Sequence, residues 1–255
     1  MKMSSTHVGE TFITDVILIR INLSLANFEE YKASTTPLNG IFSNELIEAA
    51  LRNMAHEALG GLTALNGYPL KVRLESCVFR QEGALVFCHV YVSLDQATAI
   101  ENAFLNDAKE VLRALFEKSL SLSAGKVGNR LDLTRMELSR LTQISNLPGY
   151  SSSEKSLIHY VVQTDVQSGW ELEIDHWYAL EHLPGLASVP GCVVAKRYLN
   201  HDAGPKSLAC YDLLSQETLI SKEWLAVRAT PWASKARPHF INTQREIYPH
   251  VLALT

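Results

Sequence analysis

Between Asp175 and Gly191 the chain packs aromatic rings, two histidines and two carboxylates into one run, Asp-His-Trp-Tyr-Ala-Leu-Glu-His-Leu-Pro-Gly-Leu-Ala-Ser-Val-Pro-Gly. The chemistry these residues offer is proton transfer. An imidazole takes or gives a proton near neutral pH, so His182 is the candidate general acid or base. Its structural alternative is a cap on the carbonyl groups that precede Pro184. Glu181 is a candidate partner or a second base, although adjacent helix positions diverge by about 100°. Trp177 and Tyr178 would wall a pocket for a flat ring, or pack a core. Asp175 lies two turns earlier, too far along a regular helix to touch His182, and reads as solvated.

Positioning these groups takes a helix from about Glu171 to Leu183, stopped by Pro184 and Gly185. A 3.6-residue period puts Ile174, Tyr178 and His182 on one line, with Trp177 and Glu181 beside it. The carbonyl groups at the helix end should favour imidazolium and raise the pKa of His182. Arg197 and Tyr198 follow on a strand, where side chains alternate, so only one points inward; an inward Arg197 would bind a carboxylate or enolate. His89, between Phe87 and Tyr91 on one strand face, marks either a first-half pocket or a hydrogen-bonded core histidine. Trp232, Arg237, His239, Arg245 and Tyr248 are expected to dock the tail or form a subunit interface, with Arg237 in reach of a ligand.

A chain of 255 residues predicts two domains, each long enough to bury a core. Its 47% hydrophobic and 20% charged residues are those of an ordinary globular protein. The net charge of −4 is spread evenly, with 14 basic and 16 acidic residues before Ser151 and 9 and 11 after it. No basic stripe exists to hold a phosphate backbone, which argues against a nucleic-acid partner. Cys77, Cys88, Cys192 and Cys210 lie far apart, mostly in predicted strands, and read as buried thiols in a reducing compartment. No apolar run is long enough to span a bilayer, so no membrane partner and a cytoplasmic location are expected. Phosphate-loop, Gly-x-Gly-x-x-Gly, Gly-x-Ser-x-Gly and His-Glu-x-x-His motifs are missing, and His176 and His182 do not share a helix face. No cofactor and no metal are therefore expected.

The periodicities give a loose leader over residues 1–12, a strand at Val16–Leu23, a short helix at Asn27–Lys32 and a long amphipathic helix from Ser43 to about Leu62. A hairpin follows at Lys71–Arg80 and Ala84–Leu94, then a helix at Gln96–Leu120. Leu131 to Leu141 has helical spacing and reads as a helical bridge, and Asn146 to Ser153 as the linker. The order then repeats: strand Leu157–Thr164, helix Glu171–Leu183, hairpin Val193–Leu199 with Leu208–Leu213, helix Gln216–Val227, a helical turn after Pro231 and a last strand at Ile247–Leu252. The expected domains are thus residues 1–149 and 150–255. The fold class is α+β: two ferredoxin-like β-α-β-β-α-β units whose open sheets pack face to face. Phe28-Glu-Glu-Tyr31 overlays Ile174-Asp-His-Trp177, and the first half has only Thr35 or Thr36 where His182 stands.

Trp177-Tyr178, Glu181-His182-Leu183-Pro184, Val189-Pro190-Gly191 and Arg197-Tyr198, followed by Pro231-Trp232, Arg237-Pro238, Phe240, Arg245 and Tyr248, resemble the dimeric α+β barrel superfamily and its EthD-like branch. The resemblance covers about residues 155–252. It implies a barrel built within one chain, a ligand cavity between sheet and helices, and the helix histidine near the cavity mouth. Members include monooxygenases, isomerases, cyclases, dehydratases and haem-binding enzymes, so the fold does not fix the reaction. The expectation is a cofactor-independent enzyme that moves a proton on a small hydrophobic, cyclic or aromatic molecule in an isomerase, cyclase or dehydratase step. His182 would be the acid/base with Glu181 beside it, Arg197 or Tyr198 would steady an oxyanion, and Trp177, Tyr178, Arg237 and His89 would contact substrate. The alternatives are a non-catalytic ligand-binding or interaction protein of the same fold, and a haem-binding or monooxygenase member with His182 as axial ligand. A homodimer is compatible with either.

Overall fold

The computed structural model describes residues 14–25, 47–49, 51–53, 56, 71–95, 114, 118 and 131–252. Nine strands form one sheet: β1 (Thr14–Leu25), β2 (Lys71–Glu82), β3 (Leu85–Asp95), β4 (Leu131–Pro148), β5 (Ile158–Val166), β6 (Cys192–Asn200), β7 (Ser207–Leu213), β8 (Phe240–Tyr248) and β9 (His250–Leu252). Their spatial order is β8-β5-β7-β6-β4-β1-β3-β2-β9. Four strands in the order fourth-first-third-second occur twice, which is the ferredoxin-like arrangement expected from the sequence. β4 and β6 join the two sets along Leu141–Pro148 and Val194–Asn200. β8 pairs with β5, and after Pro249 the same strand continues as β9 to pair with β2 at Cys77–Phe79. The chain thereby links the two sheet edges through one continuous segment, β8 on β5 and β9 on β2 at Cys77–Phe79, and so closes a barrel.

Strand alternation divides the side chains between two cores. Val16, Leu18, Val78, Tyr91, Leu141, Val161, Tyr198, Leu208, Cys210 and Tyr248 fill the barrel interior. Ile158, Ala195, Ala209, Tyr211 and Leu213 point outward instead, against the helices α1 (Glu171–Trp177), α2 (Leu183–Ala187), α3 (Lys222–Arg228) and α4 (Pro231–Ala236). Ser221 and Thr230 cap α3 and α4 by accepting the Trp224 and Ala233 amides. All four cysteines are buried and free.

Four expectations are corrected. The helical bridge at 131–141 is strand β4, pairing with β1 from Thr14↔Gln143 to Leu25↔Leu131. Charged Arg135 and Glu137 on its inward face break the apolar alternation, while Leu131, Leu138 and Leu141 imitate a helical stripe. The linker expected at 146–153 accordingly begins with three strand residues. The helix from Glu171 does not stop at Pro184 but runs on to Ala187 through a π turn, Tyr178–His182. There Leu183 donates its amide to the Tyr178 carbonyl, five residues back, and Pro184, which has no amide to donate, opens the next segment. The helix at Gln216–Val227 is a 3₁₀ turn, Gln216–Ile220, followed by α3. Of the long first-half helices only fragments are described, at 47–49, 51–53, 56, 114 and 118. The leader, the short helix at Asn27–Lys32 and the Phe28–Tyr31 overlay lie outside the described residues.

Candidate active site

The π turn is the local feature that builds the site. It brings Trp177 and His182 onto one face, their rings stacked with centroids 4.1 Å apart and planes at 20°. Tyr178 meets the imidazole edge-on at 5.3 Å and stacks on Phe240 at 6.2 Å. His182 is 8% exposed, and its Nδ1 is buried without a hydrogen-bond partner among the described residues. Burial, together with the positive charges of Arg228, Arg237 and Arg197, lowers its pKa to about 3. This reverses the sequence expectation of a raised pKa: α2 continues the helix past His182, so the imidazole does not cap a free carbonyl end. His182 is held as the neutral imidazole across the physiological range.

His182 opens on a crevice between the outer sheet face and α1, α3 and the π turn, with a volume of about 40 Å³. Tyr160, Tyr211, Trp224, Arg228, Arg237 and Arg245 complete its walls. The Tyr211 hydroxyl is a second buried polar atom there without a partner, and burial pushes its pKa up. Arg237 donates to the Arg228 carbonyl at 3.3 Å. None of Arg228, Arg237 and Arg245 has a carboxylate in ion-pair range among the described residues. Burial and its two arginine neighbours lower the pKa of Arg237. Three uncompensated guanidinium groups beside a neutral imidazole make an anion-attracting pocket with a base in it. Gly185 allows this closeness: a Cβ there would stand 2.8 Å from Val227 Cγ1, so only glycine lets the helix settle against α3, which carries Arg228.

The other expected residues are distributed as follows. Glu181 Oε1 accepts from Trp177 Nε1 at 3.0 Å and from Thr230 Oγ1 at 2.6 Å, tying the π turn to the start of α4. Arg197 and Tyr198 take opposite faces, as strand alternation requires. Arg197 is 3% exposed, lies 4.3 Å over the Tyr178 ring and donates to Asp175 Oδ1 at 2.5 Å. Asp175, expected to be solvated, is thus the carboxylate that holds Arg197. Burial raises the pKa of Tyr178 to about 12, although Arg197 opposes the shift. Tyr198 points into the barrel and stacks on Tyr91. His89 also lies in the barrel, its Nε2 bonded to the Tyr248 hydroxyl at 2.8 Å.

The expected C-terminal cluster is divided in the same way. Trp232 donates to Glu173 and His239 stacks on Trp170, whereas Arg245 lines the crevice and Tyr248 the barrel. Sequence reasoning missed Arg228, Tyr160 and Tyr211 as walls of the crevice. The available signal for Arg228 was a cation in the last turn of a helix next in order to the His182 helix.

A closed antiparallel barrel made from two ferredoxin-like sets, with helices outside it and a histidine crevice beneath them, has the dimeric α+β barrel fold. No family model matches the chain, and no curated protein matches it by sequence. Among solved structures it is similar to a protein provisionally named a monooxygenase from Fusobacterium nucleatum subsp. nucleatum, at a TM-score of 0.52 and 6% identity over 95% of this chain and 94% of that one. An anthrone oxidase-like protein matches at a TM-score of 0.48 and 15% identity, over 94% of this chain and 92% of that one. A protein provisionally named a monooxygenase from Lactobacillus acidophilus matches at 0.46 and 13%, over 95% and 100%. At such identities the first likeness shows the fold, and the other two add nothing to it. No helix among the described residues is long and apolar enough to cross a membrane.

Proposed function

We propose that this chain is a cofactor-independent enzyme that removes a proton from a small cyclic or aromatic molecule and stabilises the resulting oxyanion, in an isomerase, cyclase or dehydratase step. The observation that carries the reading is the pair of buried polar atoms without a partner among the described residues, His182 Nδ1 and Tyr211 Oη, on one crevice with three arginines that have no carboxylate partner among those residues. Buried polar groups without partners are rare and costly, so their coincidence at one place marks a site where a ligand atom completes the bonding. His182, held neutral, accepts the proton on Nδ1. Arg228, Arg237 and Arg245 face the negative charge that develops on the substrate oxygen, the role that sequence reasoning gave to Arg197 or Tyr198. Trp177 fixes the imidazole plane, and Glu181 fixes Trp177. Arg197 is a positioning residue in this scheme, because Asp175 occupies it and it in turn packs on Tyr178.

The crevice accepts one functional group of a substrate rather than a whole molecule. The rest lies outward, past the half-buried Arg228 and exposed Arg237. The EthD-like character of the segment 155–252, a duplicated unit divided near residues 149 and 150, a small-molecule partner, a cytoplasmic location and assembly as a homodimer belong to the same proposal.

The test is deuterium exchange in D₂O, followed by proton NMR, on a panel of enolisable cyclic and aromatic ketones bearing a carboxylate. The wild type accelerates exchange at the acidic C–H of at least one member, and H182Q lowers that acceleration by about 10²–10⁴, the usual contribution of a positioned base. Unchanged exchange in H182Q would contradict the assignment. A panel that binds without exchange would make the protein a ligand-binding member of the fold.

A further inference from the structure

The outer crevice uses one face of the sheet; the barrel interior is the other. Along β8 the two alternate, Arg245 facing the crevice and Gln244, Glu246 and Tyr248 facing inward. Around Val16, Leu18, Leu141 and Leu208 the interior is filled by apolar side chains. Elsewhere it opens in a polar mouth with a cavity of about 620 Å³, within the range of small-molecule pockets. Arg20, Arg80, Phe87, His89, Gln163 and Glu246, drawn from five strands, line its walls, and the loop at Gly204 and Pro205 forms part of its rim.

Among the described residues, two lining charges of this mouth have no ion-pair partner, Arg20 and Asp202, whose carboxylate accepts from the Arg140 amide at 2.7 Å. Arg80 is paired with Glu82 and Glu246, and Arg135 with Glu137. Arg20 instead donates to two neutral oxygens, Ser139 Oγ at 2.7 Å and Gln163 Oε1 at 2.8 Å, and has no carboxylate partner among the described residues. Gln163 is itself held by donation to Glu246 at 3.1 Å, so the fork of Arg20 is fixed in orientation. A guanidinium has five N–H donors, and among the described residues two of those of Arg20 are taken, which leaves three. Beside it on the neighbouring strand His89 is 4% exposed, with Nε2 on Tyr248 and Nδ1 buried without a partner among the described residues. Burial and the charge of Arg20 keep His89 neutral.

We propose that the barrel mouth is a second ligand site, separate from the His182 crevice, which binds the carboxylate of a small organic acid on Arg20. The acid's carboxylate takes the free donors of Arg20, and a neutral His89 Nδ1–H supplies one more. Its apolar body lies along Phe87, Leu138 and Pro205, which also line the cavity. A planar carboxylate suits a fixed guanidinium fork better than a tetrahedral phosphate suits the single remaining edge.

The experiment is saturation-transfer NMR and calorimetry on the full chain with benzoate and cyclohexanecarboxylate as probes, benzamide as the uncharged control and inorganic phosphate as competitor. The wild type binds both acids saturably, benzamide at least 10-fold more weakly, and phosphate does not displace them at equal concentration. R20M abolishes one saturable binding event, which H182Q leaves within twofold, so the result does not depend on the proposed reaction. Should R20M fail to fold, R20K keeps the charge without the fork and weakens binding at least fivefold. Absence of saturable binding, binding indifferent to Arg20, loss of binding in H182Q, or preference for phosphate would each overturn the site.

Discussion

Trp177 and His182 are five residues apart yet stack nearly parallel, 4.1 Å between centroids. On an ordinary α-helix residues at that spacing diverge by about 140°. The π turn absorbs the difference by adding one residue to a single turn, and Pro184 sits where a regular helix would have required an amide from it. The neutrality of His182 follows, because the stack removes the ring from water and the surrounding arginines oppose a further positive charge.

Acid sensitivity should therefore run partly through His182. Its folded value of about 3 lies below an unfolded value of about 6.5, so between these pH values the unfolded chain binds more protons. Stability present above about pH 6.5 is lost as pH falls toward 3, and His89 acts in the same sense. Urea unfolding at pH 7 and pH 4.5 should show the wild type losing about 2 kcal/mol more than H182Q over that interval. An equal loss in both proteins would show that His182 titrates normally.

His159 contributes with the opposite sign. Burial alone would lower its pKa, but Asp212, 2.5 Å from Nδ1, raises it to about 10. A raised folded value gives stability that is complete below about pH 6.5 and is lost as pH rises toward 10. D212N should cost about 3 kcal/mol at pH 6 and flatten the decline in melting temperature between pH 6.5 and 9. A parallel decline in wild type and variant would exclude the pair as its cause.

The Asp175–Arg197 pair is asymmetric, with Asp175 half exposed and Arg197 3% exposed. Removing the carboxylate leaves a buried cation, whereas removing the cation leaves a carboxylate already in water. D175N is expected to destabilise more than R197M, by about 1 kcal/mol, since the methionine keeps the packing on Tyr178. Chemical denaturation of the two variants checks the order, and the reverse order would mean that the pair is solvated.

The close approach at Gly185 predicts a rescue. G185A sets a methyl against Val227 and should cost about 2 kcal/mol by overpacking. V227A in the same chain should restore most of it, a coupling measurable in a double-mutant cycle. Additive effects would place the clash elsewhere.

The strands of the second half were legible because short runs rich in β-branched, apolar and aromatic residues, such as Val193–Ala195 and Leu208–Tyr211, lie between turn residues such as Pro190-Gly191 and Asp202–Pro205, and local pattern is all that such an assignment needs. β4 was not, because Arg135 and Glu137 line a polar barrel mouth where alternation predicts apolar side chains. His182 could be picked from its chemistry, but not its surroundings: Arg228, Tyr211 and Asp175 reach the π turn and Arg197 only through tertiary packing. The barrel mouth left a trace in Arg20 and Asn22, the two polar residues of the run Val16–Leu23. A charge at an inward strand position is costly, and its explanation lay 119 and 143 residues away at Ser139 and Gln163.

The neutral state of His182 is the premise of the proposed reaction and can be read directly. In histidine-labelled protein, with the His182 ring signals assigned by their loss in H182Q, imidazole shifts are followed from pH 8 to pH 4. The account predicts shifts that stay at neutral-ring values throughout, and a midpoint that moves up toward about 6.5 in W177A, where the stack is removed. A wild-type midpoint between pH 6 and 7 would contradict it, since His182 would then be a solvated helix histidine and no preformed base.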